Sequence, residues 1–116
     1  MQVESLMHHN ATATNTAVAV SAVPSRLHGL SISNPNTVSV WIQFFDLAAG
    51  DVSVGTTTRK QSYMIPAGTS AADQAGKDFA FEFAPKFLTA MSYAITTTPT
   101  GSAAPSTAIP VNILYS

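Results

Sequence analysis

The chain has 116 residues, a formal net charge of -1 and no cysteine; 9% of it is Asp, Glu, Lys or Arg, and 46% is hydrophobic. This is the length of one domain, which must hold together without disulfides, and its few scattered Lys and Arg exclude phosphate-backbone or membrane-surface binding. An ordinary soluble domain carries roughly a quarter charged residues, so most of this surface is neutral Thr, Ser, Ala, Asn, Gln and Gly, as suits a subunit packed against other subunits.

In chain order, residues 1–16 carry neither the basic start nor the apolar run of a signal peptide. They end in the small, aperiodic run Asn10–Thr16 and read as an extended N-terminal arm draped on a neighbour, with the domain proper over 17–116. Ala17–Val23 reads as the first strand, stopped by Pro24. Arg26–Ser33 is the second, with Leu30 and Ile32 on one face and Gly29 marking a bulge. Asn34-Pro35-Asn36 signals a turn.

Thr37–Leu47 is the strongest strand: Val38, Val40, Ile42 and Phe44 alternate with Thr37, Ser39, Trp41, Gln43 and Phe45. The aliphatics belong to the core. The opposite face carries two large aromatics that a solvated face does not need, so it is expected to be covered by an arm, a loop or a neighbouring subunit. Val52–Val54 and Lys60–Ile65 read as short strands, and Thr69–Asp78 as a polar loop, weakly helical at Ser70–Ala75. Phe79, Phe81 and Phe83 alternate inward, with Glu82 outward. Ala90–Thr98 and Thr107–Tyr115 close the chain as strands, and because Pro110 has no N–H to donate, the last one is expected to begin at a sheet edge. The short strands, turn residues at regular spacing and absence of an amphipathic helix predict an all-β fold, an antiparallel β-sandwich of jelly-roll type.

Signatures of chemistry are weak. His8 and His9 are adjacent on extended chain, point to opposite sides and make a poor chelating pair. His28 has no partner near it in sequence. Asp73 and Asp78 around Gly76 lack the alternating ligands of a calcium loop, and no Gly-rich phosphate cradle occurs. Neither catalytic residues, nor a metal site, nor a cofactor is assigned. Trp41 and Phe45 beside Gln43 and Asp46 could stack a sugar ring, but a covered face is the stronger reading. Trp41, Gln43 and Phe45, with His8 and His9 on the arm, are therefore the interface candidates.

The runs Arg26–Asn36, Val40–Asp46, Gly55–Thr58 and Tyr63–Gly68, followed by Ile95–Pro105 and Val111–Tyr115, resemble small virion proteins of tailed bacteriophages and prophages. The resemblance implies a non-enzymatic component of a particle: a cement (decoration) protein on a capsid, or else a tail or baseplate accessory or a receptor- or glycan-binding module. It implies other virion proteins as partners (a major capsid protein or tail proteins), a homo-oligomer (dimer or trimer), and residence in the virion after assembly in the host cytoplasm.

Overall fold

A computed structural model of the chain describes residues 6–69 and 74–116. Two antiparallel sheets pack face to face. One has the strand order β1 (Leu6–Ala13), β9 (Ile109–Tyr115), β3 (Ser25–Asn34), β6 (Ala75–Ala80), with the short β7 (Lys86–Phe87) also pairing with β3. The other runs β2 (Val18–Ser21), β8 (Met91–Thr96), β4 (Val40–Phe45), β5 (Gln61–Ile65). Apart from β7, successive strands alternate between the sheets, and only β4 and β5 follow each other within one. The all-β sandwich expected from the alternating pattern is what forms.

The core lies between the sheets and is built by the inward half of each period-two pattern. Leu27, Leu30 and Ile32 from β3 and Ile109, Val111 and Ile113 from β9 meet Val40, Ile42 and Phe44 from β4 and Met91, Tyr93 and Ile95 from β8, all buried. At the β5–β6 side the core is closed by aromatic rings. Tyr63 lies 5.0 Å from Phe79 and 5.7 Å from Phe81 between centroids, and Phe44 packs edge-on against Tyr63 and Phe87.

Several expectations are corrected. Residues 1–5 of the expected arm lie outside the described residues, but Leu6–Ala13 form a strand of the sheet, paired with β9 from Leu6↔Tyr115 to Ala13↔Ile109. No aliphatic alternation marks this strand because, after Leu6 at its exposed start, its inward positions are His8 and Asn10. These keep their polar atoms satisfied at the rim of the core by meeting Tyr93. Pro110 lies in β9, an interior strand. It is tolerated because the β1–β9 register shifts between Asn10 and Ala13, and the β3 ladder stops at Ile32↔Val111, so no ladder bond is asked of it. Val38 precedes β4 and is 52% exposed. Val52–Val54 are not a strand but follow a 3-10 turn at Ala49–Asp51. β6 ends at Ala80, so the alternation fails beyond Phe81 and Phe83 is 87% exposed. The helical expectation over Ser70–Ala75 falls largely on residues 70–73, outside the described residues, and Ala75 already belongs to β6. The bulge expected at Gly29 is present: β3 gains one residue over β9 between Leu27 and Gly29.

The end of the sandwich at Asn34-Pro35-Asn36 is tied by a buried amide hub. Asn34 Nδ2 donates to the carbonyls of Val38 (3.0 Å) and Pro66 (2.9 Å), and Asn34 Oδ1 accepts from Asn36 N and Nδ2. Asn36 Nδ2 also donates to Thr107 O, Asn36 Oδ1 accepts from Thr107 N at 2.7 Å, and Asn36 O accepts from Gly68 N. Two side chains thus fix the three connections entering β4, leaving β5 and entering β9.

Candidate functional site, an uncharged flank

The outward face of β4, singled out by its aromatics, is covered by the chain itself. Gln43 and Phe45 are both fully buried. Gln43 Nε2 donates to Thr96 Oγ1 (2.6 Å) and Gly101 O (3.0 Å), while Gln43 Oε1 accepts from Arg59 Nε at 3.0 Å. The connection from β4 to β5 crosses back over the sheet, where Ser92 Oγ donates to Leu47 O at 2.9 Å. Gln43 and Phe45 are therefore removed from the interface candidates: loops supply the cover that the sequence demands. Trp41 stays half-buried, between Met64 and Thr96 on the neighbouring strands.

Asp46 is also committed internally. Its carboxylate accepts from the backbone N–H groups of Leu88 (2.9 Å), Thr89 (2.8 Å) and Ala90 (3.3 Å), pinning the turn into β8. Desolvation pushes this carboxyl up, but those three bonds and the nearby Lys60 outweigh it and hold it below the ordinary carboxylate range. With Gln43 and Asp46 both occupied, the polar groups that would orient a sugar over Trp41 are not free to do so.

The histidines divide as adjacent residues of a strand must. His8 turns inward, half-buried, with Nε2 2.9 Å from Tyr93 Oη and its ring edge-on to Tyr93 at 5.4 Å. His9 turns outward, and its Nδ1 lies 2.7 Å from Asn112 Oδ1 on β9. Desolvation, and secondarily the neighbouring His9, lowers the pKa of His8 below 6.5. The unfolded chain therefore takes up this proton first as pH falls, and stability drops from about pH 6.5 down through the folded-state pKa. Melting temperatures between pH 8 and 5 are expected to fall for the native chain and to fall less for His8→Gln; equal slopes would show that His8 does not clip β1 to β8.

His28 Nε2 lies 2.7 Å from Ser116 Oγ. Ser116 is itself held in the ladder, its N–H and C=O both bonded to Arg26, so this contact fastens the end of β9 to β3. Asp78, one of the two aspartates that flank Gly76, lies on β6 and lines a shallow groove on the outer sheet face. The groove has a volume of about 270 Å³ and is lined by Met7, His28, Ser31, Phe79, Asn112 and Leu114 among others. Asp73 lies outside the described residues. Among the described residues no three His, Asp or Glu side chains come together as a metal-binding group, and no helix is long and apolar enough to cross a membrane.

What the residue-by-residue reading missed is where the charge goes. Glu4 aside, every Asp, Glu, Lys and Arg lies between Arg26 and Lys86, so β1, β2, β8 and β9 hold none. The topology gathers those four strands on one side: β1–β9 ends one sheet, β2–β8 ends the other, and His8 joins them across the core through Tyr93. Among the described residues, the strands of one flank of the sandwich therefore carry no charged side chain. That flank presents two open strand edges, β1 and β2, with Leu6 48%, Met7 63% and Val23 62% exposed. The opposite flank carries Lys77 and Asp78 on β6 and Arg59-Lys60 just before β5. Charged side chains are one device for keeping a free edge from pairing, and among the described residues only the β5–β6 flank has them. The signal was available in the sequence as two long charge-free runs at either end of the chain. Neither a protein-family model, nor a curated protein, nor a solved structure matches the chain.

Proposed function

We propose that this chain is a non-enzymatic structural subunit of a virion, a cement or decoration protein that attaches to neighbouring virion proteins through its uncharged flank. The observation that carries the reading is the segregation of charge. A flank with open edges and no charged side chain among its described residues repels neighbouring protein weakly and is inexpensive to desolvate, which are the properties of a buried contact. The strand order supports a jelly roll, since β1-β9-β3-β6 facing β2-β8-β4-β5 is, β7 aside, a pair of four-stranded sheets wound from alternating strands. That architecture is common in viral coat domains and also serves lectins. The resemblance to phage virion proteins points the same way. The glycan-binding alternative is disfavoured by the internal engagement of Gln43 and Asp46.

An attachment of this kind buries on the order of 2,000 Å² and owes little to ion pairs. In particles purified on a density gradient from cells that produce this chain, it is expected as a stoichiometric component that stays bound in about 1 M NaCl, where charges are screened beyond roughly 3 Å. Recovery of the chain only away from the particles, or its release by salt alone, contradicts the proposal.

A further inference from the structure

Resting on that assembly reading, we infer that the first partner of the flank is a second copy of this chain, joined antiparallel through the β1 edge. Among the described residues, β1 is paired on one side only, by β9. Its outer side offers a row of backbone N–H and C=O groups, which only another extended strand can satisfy in full.

Three observations select this edge and a self-partner. First, β1 is uninterrupted from Leu6 to Asn10, whereas β2 spans only Val18–Ser21 and shifts register between Ala19 and Ser21. Secondly, the edges of the opposite flank stand beside Lys60, Lys77 and Asp78, whereas Leu6–Ala13 and Val18–Ser21 themselves contain no charged side chain. Thirdly, an uncharged edge selects an uncharged strand, and two copies of Leu6–Asn10 meet that condition about a two-fold axis. The register that uses the whole run before the bulge centres on His8. It sets Leu6 against the partner's Asn10 and Met7 against the partner's His9, and joins the two β1-containing sheets into one. Met7 lies on the sheet face that also carries Asn112 and Leu114 of β9, away from the core.

In this register the two Met7 side chains are diagonal neighbours, roughly 7–8 Å apart. Sedimentation velocity on the purified full-length chain is expected to give twice the 12.1 kDa chain mass. Met7→Glu and Met7→Lys each place like charges across the axis and are expected to weaken the dimer at least about tenfold. An equimolar mixture of the two is expected to restore it, which also shows that both variants are folded. A native chain that sediments at the mass of one chain, or a dimer indifferent to both variants and to their mixing, overturns the self-pairing. The same samples are then mixed with particles stripped of the chain. A monomer that still binds particles would overturn the dimer while leaving the structural role standing. A monomer that binds none would remove both.

Discussion

Asn34→Ala is expected to cost about 3 kcal/mol or more and to lower the melting temperature by over about 10 °C, a large share of the roughly 5–15 kcal/mol available to a domain. Asn34 is fully buried and Asn36 is 4% exposed. Truncating Asn34 takes a donor from the carbonyls of Val38 and Pro66 and the acceptor from the backbone N–H of Asn36, and leaves Asn36 Nδ2 with Thr107 O alone. Each buried polar group left unsatisfied costs about 1–3 kcal/mol. Asn36→Asp tests the same hub without changing shape. It replaces a donor by an oxygen facing Thr107 O and Asn34 Oδ1, and buries a negative charge against two acceptors. Asn15→Ala is the control, because Asn15 Nδ2 makes one exposed bond to Ser102 O and is expected to cost under about 1 kcal/mol. Thermal melts and urea titrations decide the matter; hub variants that melt within about 3 °C of the native chain would show that these amides are not what fastens the three connections.

Removal of residues 1–16 is expected to unfold the domain or leave it molten at room temperature, where an unstructured arm would have been dispensable. The deletion takes away all of β1. It opens β9 along its length, uncovers Tyr93 beneath His8 and Asn10, and removes Ala13, which is 1% exposed, from the core. It also removes Thr14 O, the acceptor for Ile95 N in β8. Deleting a paired strand differs in kind from trimming a tail, because the surface exposed belongs to residues that remain. Circular dichroism with a denaturant titration of the truncated chain gives the answer. A cooperative transition with an unchanged midpoint would mean that β1 adds nothing to the fold.

Sequence reading recovers those parts of this fold whose cause is local. The alternation of Val40, Ile42 and Phe44, and of Met91, Tyr93 and Ile95, marks strands and their inner faces, because one side chain in two must leave water. Gly29 marks a bulge, and Asn34-Pro35-Asn36 marks a turn. The misses share one reason, which is that the deciding partner is distant in the chain. β1 hides because its inward residues are polar and are satisfied by Tyr93, 85 positions away from His8. The Asn-Pro-Asn turn does not reveal its partners at Pro66, Gly68 and Thr107. Trp41 and Phe45 announce a covered face, yet the identity of the cover, the chain's own loops, follows only from the return of the β4–β5 connection. Phe83 continues an alternation after the strand bearing it has ended. The candidate site was legible in another way: the charge-free runs are plain in the sequence, but only the topology brings both ends of the chain to one flank.

The most direct test compares Leu6→Lys with Met64→Lys, which place the same charge at sites of nearly equal exposure, 48% and 46%, on opposite flanks. Leu6 lies on the uncharged β1 edge and Met64 on β5, whose flank already bears ions. Retention of each variant on purified particles is the measurement. Loss of Leu6→Lys by about tenfold or more, with Met64→Lys bound like the native chain, is the predicted result. Full retention of Leu6→Lys, or equal loss of both variants, would contradict the assignment of the uncharged flank as the assembly surface.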